Sequence, residues 1–286
     1  MPKPLRHIIP ATAVLFVALL FLGLRGLGAP PTPVHGAMGR GPTIVLVHGL
    51  GSRIQDWLPA ARRLAAHHRV ALVELPGHGD SGMPEPFSLE RATEALDQAL
   101  ATESSEPVVL VGHSIGGLIA TAEALAHPKR VRKLVLVETL LAPQVRGPER
   151  EALLHALDTD YRDLLRREYV SFGRDSAQGL ELYREVAAQD SANMKRWIRL
   201  ALTADLSARV AALAMPVLAV VTDRTWPPSE PWSVTAAAIG YRAIPDCRPV
   251  RISNSGHFIM LDHPGPLAEL IARFADRGGP EPVAAR

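Results

Sequence analysis

The sequence is poor in the residues that cross-link small proteins or bind nucleic acid. Its 286 residues include a single cysteine, Cys247, which can form no internal disulfide and cannot build a zinc site alone. Aromatic residues make up only 5% of the chain, and no basic run is interleaved with them, so we expect no nucleic-acid partner. The fold must therefore depend on the burial of its apolar residues, which make up 47%.

The chain also lacks a strong net charge. It has 31 Lys and Arg against 29 Asp and Glu, a formal net charge of +2. Lys3, Arg6 and Arg25 lie in the first 29 residues, where there is no acidic residue, so the remainder is close to neutral. The charge balance therefore predicts no basic binding face on the folded part of the protein.

A basic segment followed by an apolar run opens the chain. Lys3 and Arg6 precede residues 8–24, which are almost wholly apolar, and this pattern directs export. The small residues up to Ala29 permit cleavage by a signal peptidase, whereas an uncleaved run lies at the short end of the range for a spanning helix. We therefore predict that residues 1–29 are a signal peptide or an N-terminal membrane anchor. The protein is then exported, periplasmic or extracellular, or anchored to the cytoplasmic membrane facing outward.

Short apolar runs alternate with helical patterns along most of the chain. We predict strands at residues 43–47, 70–75, 108–111, 131–137, 217–221 and 248–252. Continuous apolar strands that alternate with amphipathic helices are typical of a parallel sheet covered on both faces. The sequence therefore predicts an α/β fold with a mostly parallel central sheet flanked by helices.

The stretches outside this alternation differ in composition. Residues 30–41 are rich in Pro and Gly and are predicted to be a linker, and residues 277–286 are predicted to be a flexible tail. Residues 143–215 show only helical periodicity, with many charged side chains. We predict a core formed by residues 42–142 and 216–276, interrupted by a helical insertion at 143–215 that either packs on the core or covers a site as a lid.

One motif in the chain is typical of a serine nucleophile. The segment Gly112-His113-Ser114-Ile115-Gly116 directly follows a predicted strand and precedes a helical pattern. A sharp strand-to-helix turn exposes the serine oxygen and requires glycines at the flanking positions. The N-terminus of the next helix supplies free N–H groups for a developing oxyanion. The pattern predicts that Ser114 is the nucleophile.

A serine hydroxyl needs a base to become a nucleophile, and His257 is the candidate. It lies in Asn254-Ser255-Gly256-His257-Phe258, after the last predicted strand and before the last helix. A histidine that follows the serine in the chain and lies at a strand's carboxyl end fits the hydrolase arrangement. We therefore predict that His257 is the general base.

Over residues 41–276 the chain resembles the α/β-hydrolase family. The motifs that carry the resemblance are His48-Gly49-Leu50-Gly51, Leu75-Pro76-Gly77-His78-Gly79-Asp80-Ser81, Gly112-His113-Ser114-Ile115-Gly116-Gly117 and Ser255-Gly256-His257. The resemblance implies the α/β-hydrolase fold. It also implies that the backbone N–H groups of Leu50 and Ile115 form an oxyanion hole, and that residues 143–215 are the family's variable helical cap.

Two residues are candidates for the acid that orients His257. In the family the acid usually lies in a Gly-x-x-Asp loop, where this chain has Thr225 in the acid position and Asp223 two residues earlier. Glu138 instead lies at the end of the predicted strand at residues 131–137. The branch of haloalkane dehalogenases and coelenterazine luciferases has its acid after the corresponding strand. A carboxylate at an apolar strand end is costly to bury unless it is paired, and a histidine ring N–H would satisfy it. We favour Glu138, and Asp223 is the alternative.

These residues together predict an enzyme that transfers acyl groups. A serine at the nucleophile position favours hydrolysis of a carboxylic ester through an acyl-enzyme on Ser114, with a small, mostly apolar ester as substrate. Fold and triad serve several other reactions, so hydrolysis of a thioester, lactone, carbon–carbon bond or N-terminal peptide stays open, as does a non-catalytic ligand-binding protein. The chain has no H-E-x-x-H motif, and we expect neither a metal nor a cofactor.

Overall fold

The computed structural model describes residues 35–276 of the chain. The predicted signal peptide or anchor at residues 1–29 and the predicted tail at residues 277–286 lie outside this range. Within it, no helix is both long enough and apolar enough to cross a membrane.

Residues 35–276 contain one sheet of seven strands. The strands are β1 (His35–Met38), β2 (Thr43–Val47), β3 (Arg69–Val73), β4 (Val108–His113), β5 (Val131–Val137), β6 (Val217–Thr222) and β7 (Cys247–Ile252). They lie in the order β1-β3-β2-β4-β5-β6-β7; β1 pairs antiparallel with β3, and every other pair is parallel. Strands β4 and β6 are buried along their whole length because helices cover both faces. The predicted α/β fold with a mostly parallel sheet is confirmed.

Strand β1 lies where the sequence predicted a linker. Within the predicted linker, residues 30–41, Gly36 pairs with Leu72 and Met38 with Val70 of β3. Residues 35–38 include no β-branched residue, so their composition does not predict a strand. Its pairing instead satisfies backbone groups that the edge of β3 would leave open. The linker prediction is therefore wrong for residues 35–38.

Helices fill the connections between strands. They are α1 (Leu58–Leu64), α2 (Leu89–Glu103), α3 (Ile115–Ala126), α4 (Gly147–Thr159), α5 (Tyr161–Phe172), α6 (Ser176–Ala187), α7 (Ser191–Thr203), α8 (Trp232–Ala238), α9 (Ile259–Asp262) and α10 (Pro264–Asp276). Helix α1 packs against α10, and α2 packs against α3. The hydroxyl of Ser88 accepts a hydrogen bond from the Arg91 N–H and so caps α2.

The helical insertion of residues 143–215 consists mainly of α4 to α7 and lies between β5 and β6. Its side chains Leu165, Tyr169 and Trp197 belong to the same apolar core cluster as the strands. The indole N–H of Trp197 donates to the carbonyl of Pro76, at 2.8 Å, in the loop after β3. The insertion therefore packs against loops at the carboxyl ends of the strands.

Candidate active site

Ser114 occupies the turn between β4 and α3 in a strained backbone conformation. Its φ is 51° and its ψ is −123°, a region that costs a non-glycine residue free energy. Its backbone N–H donates to the carbonyl of Val137 over 2.9 Å. A Cβ atom on Gly116 would overlap the carbonyl oxygen of His48, so the turn can approach β2 this closely only with glycine there. The strand–turn–helix context predicted for Ser114 is present.

His257 lies in the loop between β7 and α9, and both the core and the insertion hold it. Its backbone N–H donates to the carbonyl of Phe172 over 2.8 Å, and its carbonyl oxygen lies 3.0 Å from Nε2 of His113. The ring of Phe172 stacks on the His257 ring with centroids 4.6 Å apart. His257 and Ser114 line the same cavity.

The carboxylate of Glu138 lies beside the His257 ring. Glu138 directly follows β5 and is 5% exposed. Its Oε1 accepts a hydrogen bond of 2.6 Å from the Thr222 N–H, and its Oε2 accepts one of 2.9 Å from the Thr225 hydroxyl. Oε2 also lies 3.3 Å from Nδ1 of His257. These partners offset the cost of burying the carboxylate, and the structure brings Glu138 and His257 together.

Asp223, the alternative acid, lies apart from the His257 ring. Its carboxylate accepts a hydrogen bond of 3.0 Å from the Ser253 hydroxyl. It does not line the cavity that holds Ser114. Across residues 35–276, no hydrogen bond or ion pair joins Asp223 to His257.

The predicted oxyanion donors Leu50 and Ile115 both line the cavity with Ser114. Ile115 is the first residue of α3, where a helix leaves its N–H groups without partners. In the described part of the chain, neither the Leu50 N–H nor the Ile115 N–H donates to a protein acceptor. Two unpaired N–H groups beside a serine can stabilise a developing oxyanion.

Two buried histidines hold the β2 loop, which we define as residues 48–51. Nε2 of His78 accepts a hydrogen bond of 3.0 Å from the Gly51 N–H. His48 accepts from the Leu75 N–H through Nε2, at 3.0 Å, and donates to the carbonyl of Gly49 through Nδ1, at 2.8 Å. Burial lowers the pKa of His78 to about 4 and the pKa of His48 well below its ordinary value. Both rings are therefore neutral near pH 7, which lets each accept one hydrogen bond.

The cavity beside Ser114 has a volume of about 610 Å³ and extends between the core and the insertion. Most of its wall is apolar, including Leu118, Leu140, Leu164, Leu165, Ile198 and Leu202. Apart from the buried Glu138, the Asp, Glu, Lys and Arg residues that line it, Glu149, Glu168 and Arg224, are exposed at its rim. A cavity of this size and lining suits a small, mostly apolar molecule.

A group that could ligate a metal lies away from this cavity. Asp97, Glu123 and His127 have side-chain ligand atoms within 4.8 Å of one another. Nδ1 of His127 lies 3.0 Å from the Glu123 carboxylate, and the Arg130 guanidinium lies 2.5 Å from that of Asp97. This pairing of opposite charges accounts for the cluster without an ion, and none of its residues lines the cavity.

The sequence did not reveal the roles of three residues that contact the site. Thr225 donates a hydrogen bond to the Glu138 carboxylate. In the sequence it is only an uncharged residue at the position of the family's usual acid. Phe172 stacks on His257, and Tyr169 donates to the carbonyl of Leu50 over 2.7 Å. The two aromatic residues come from the helical insertion, and only the folded chain brings them to the site.

Comparisons with known proteins agree with this architecture. A sequence model described as the alpha/beta hydrolase family matches residues 44–270. A pimeloyl-[acyl-carrier protein] methyl ester esterase of Edwardsiella ictaluri is 31% identical over 248 residues, which cover 82% of this chain and 93% of that protein. A bromoperoxidase from Bacillus anthracis has a similar fold, with a TM-score of 0.74 at 20% identity over 86% of this chain and 96% of that chain. A thermophilic esterase from Thermogutta terrifontis also has a similar fold, with a TM-score of 0.71 at 21% identity. The match covers 85% of this chain and 92% of that chain. The chain therefore belongs to the alpha/beta hydrolase family.

Proposed function

We propose that the protein is a serine hydrolase that cleaves a carboxylic ester through an acyl-enzyme on Ser114. The observation that carries the proposal is the 3.3 Å approach of the Glu138 carboxylate to Nδ1 of His257, in a cavity that Ser114 also lines. The relative from Edwardsiella ictaluri is named an ester esterase, which supports an ester as the substrate.

The proposed reaction assigns a role to each of these groups. Ser114 Oγ attacks the ester carbonyl while Nε2 of His257 takes its proton and returns it to the leaving alcohol. Glu138 accepts from Nδ1–H, which keeps Nε2 free to act as the base and stabilises the imidazolium. The N–H groups of Leu50 and Ile115 stabilise the oxyanion. A water activated by His257 then releases the acid.

The lining of the cavity supports a substrate whose acyl or alcohol group is apolar and uncharged. Leucine is the most frequent residue in the lining of the cavity that holds Ser114. At the rim, the acidic residues Glu149 and Glu168 outnumber the one basic residue, Arg224. A negatively charged group on the substrate would therefore meet like charges at the rim, which disfavours its binding.

Labelling with a fluorophosphonate tests the proposal without a choice of substrate. Intact-mass measurement of the full chain should find one adduct on the wild type and none on Ser114→Ala. The wild type should then hydrolyse p-nitrophenyl esters of increasing chain length, and Ser114→Ala should have lost that activity. Unchanged hydrolysis by Ser114→Ala, or a wild type that is neither labelled nor active, would overturn the proposal.

We also propose that residues 1–29 export the protein or anchor it to the cytoplasmic membrane. The support is the order of Lys3 and Arg6 before the apolar residues 8–24. Cell fractionation followed by intact-mass measurement distinguishes the two outcomes. A released protein that lacks about 29 residues indicates cleavage, and a full-length protein in the membrane fraction indicates an anchor. Full-length protein in the cytosol would contradict both.

A further inference from the structure

We propose that Tyr169 is a positioning residue through which the helical insertion holds the β2 loop in the geometry that stabilises the oxyanion. The inference rests on the proposed function, because it concerns the N–H of Leu50 as an oxyanion donor. It goes further by making the insertion part of the catalytic framework as well as a wall of the cavity.

The first observation concerns the peptide unit between Leu50 and Gly51. Its carbonyl oxygen accepts a hydrogen bond of 2.7 Å from the Tyr169 hydroxyl on α5. Its N–H donates to Nε2 of His78, in the loop after β3, over 3.0 Å. Since a peptide unit is planar, these two contacts fix its rotation from opposite sides. One contact comes from the core and the other from the insertion.

The next peptide unit back carries the N–H of Leu50 itself. Its carbonyl, on Gly49, accepts from Nδ1 of His48 at 2.8 Å and from the Ser52 N–H at 3.2 Å. The two peptide units meet at the Cα atom of Leu50, so fixing both planes fixes the direction of the Leu50 N–H. Within residues 35–276, the Tyr169 hydroxyl is the only donor to the Leu50 carbonyl. Its loss would leave the peptide unit between Leu50 and Gly51 held only by the hydrogen bond to His78.

The insertion packs closely against the β2 loop. The side-chain amide of Gln189, just after α6, donates to the carbonyl of Gly51 over 2.6 Å. A Cβ atom on Gly51 would lie 2.6 Å from the Tyr169 hydroxyl and would also overlap the side chain of Val186. Gly51 has a φ of +67°, so a side chain there would be excluded on two grounds. The loop and the insertion are therefore complementary surfaces.

Tyr169 is suited to a fixed role as a donor. It is 3% exposed, and burial raises the pKa of its hydroxyl, so it stays protonated throughout the pH range of an assay. Its ring packs edge-on against Phe172, with centroids 5.4 Å apart, and Phe172 stacks on His257. The carboxyl-terminal half of α5 thus contacts both the loop of the oxyanion donor and the general base.

The substitution Tyr169→Phe removes the hydroxyl and keeps the ring. Loss of a direct oxyanion donor lowers kcat by about 10²–10³-fold. For the indirect support that Tyr169 gives, we expect kcat to fall by about 10- to 100-fold, and KM for a p-nitrophenyl ester to change by less than about twofold. The rate of inactivation by a fluorophosphonate should fall in parallel, because its phosphoryl oxygen uses the same N–H donors. A purely structural role would lower the thermal unfolding temperature without this split between kcat and KM.

The matched control is Tyr161→Phe, a change of the same kind on the same helix. The Tyr161 hydroxyl is buried and has no hydrogen-bond partner within the described residues, so its removal should leave kcat and the inactivation rate unchanged. If Tyr169→Phe fails to fold, Gln189→Met removes the insertion's other donor to the loop and should lower kcat with little change in KM.

The inference is overturned if a folded Tyr169→Phe keeps the wild-type kcat and inactivation rate, or if only its KM rises. It is also overturned if Tyr161→Phe loses as much activity as Tyr169→Phe, or if Gln189→Met, used in its place, keeps the wild-type kcat. Failure of the proposed function looks different, because the wild type itself would then be neither labelled nor active.

Discussion

The hydroxyl of Thr225 donates a hydrogen bond of 2.9 Å to Oε2 of Glu138. Thr225 stands where the family's usual acid is expected, yet it contacts a carboxylate that follows the neighbouring strand. The same Oε2 lies 3.3 Å from Nδ1 of His257. The loop after β6 therefore supports an acid that follows β5. The residue at the family's usual acid position, Thr225, contacts the same oxygen atom of Glu138 that lies beside His257.

Glu138→Gln should lower kcat strongly. A glutamine can present an N–H to Nδ1, which favours the wrong tautomer of His257, and the loss for such a change at a triad acid is about 10⁴-fold. We expect a loss of about 10²–10⁴-fold in kcat for p-nitrophenyl ester hydrolysis, with the fluorophosphonate reaction slowed in parallel.

Asp223→Asn is the control for this prediction, because the Asp223 carboxylate contacts Ser253 and not the His257 ring. It should keep kcat within about threefold of the wild type, as expected for a group outside the triad. If Glu138→Gln keeps full activity and Asp223→Asn loses it, the assignment of the acid is reversed.

A carboxylate at position 225 should partly replace the one at position 138. Thr225 and His257 both contact Oε2 of Glu138, so the two side chains are neighbours. We expect the double variant Glu138→Gln/Thr225→Asp to have a kcat at least about tenfold above that of Glu138→Gln.

The single variant Thr225→Asp serves as the comparison for this rescue. It sets a second carboxylate beside the buried Glu138, and like charges at this distance disfavour ionisation of both. Its kcat should therefore fall below that of the wild type. A double variant no more active than Glu138→Gln would indicate that position 225 cannot orient the His257 ring in this chain.

The sequence predicted those parts of the site that local patterns determine. Ser114 lies in a strand–turn–helix motif that can be read from a few consecutive residues, and the apolar strands can likewise be read from short local runs. Strand β1 was missed because it forms by completing the edge of β3, which its own composition does not reveal.

The acid could not be decided from the sequence because its partners are distant in the chain. Glu138 is stabilised by Thr222 and Thr225, which follow β6, and by His257, which follows β7. The contact of Tyr169 with the β2 loop likewise joins residues 119 positions apart. Such pairings depend on the tertiary packing of loops and of the insertion, where local propensity carries no information.

Gly116→Ala should destabilise the protein even though alanine is the better helix former. Alanine gains about 1 kcal/mol in a helix relative to glycine. Its Cβ would overlap the carbonyl oxygen of His48 severely, and overpacking of this severity against backbone costs about 3 kcal/mol or more. We expect a net loss of about 2 kcal/mol, which lowers the thermal unfolding temperature by about 4–8 °C.

Gly36→Ala provides the matched control, because a Cβ atom on Gly36 would meet nothing within 4 Å. Its thermal unfolding temperature should stay within about 2 °C of the wild-type value. Equal unfolding temperatures for the two variants would contradict the close approach of the turn that holds Ser114 to the end of β2.

His78 should make the stability of the protein depend on pH below neutrality. Burial lowers its pKa from 6.5 to about 4 in the folded protein. Between these values the unfolded chain binds a proton that the folded chain does not, so the free energy of unfolding falls as the pH is lowered from about 6.5 to 4 and changes no further below that. The contribution of this one residue is about 3 kcal/mol over the whole window.

Denaturant unfolding at several pH values across this window measures the effect. His48 and His113, whose pKa values burial also lowers, add to the wild-type dependence with the same sign. His78→Gln isolates one residue, because glutamine offers the Gly51 N–H an acceptor but does not titrate. The variant should therefore lose less stability than the wild type between pH 6.5 and 4. An equal loss in both proteins would mean that His78 is not held neutral by burial in the folded state.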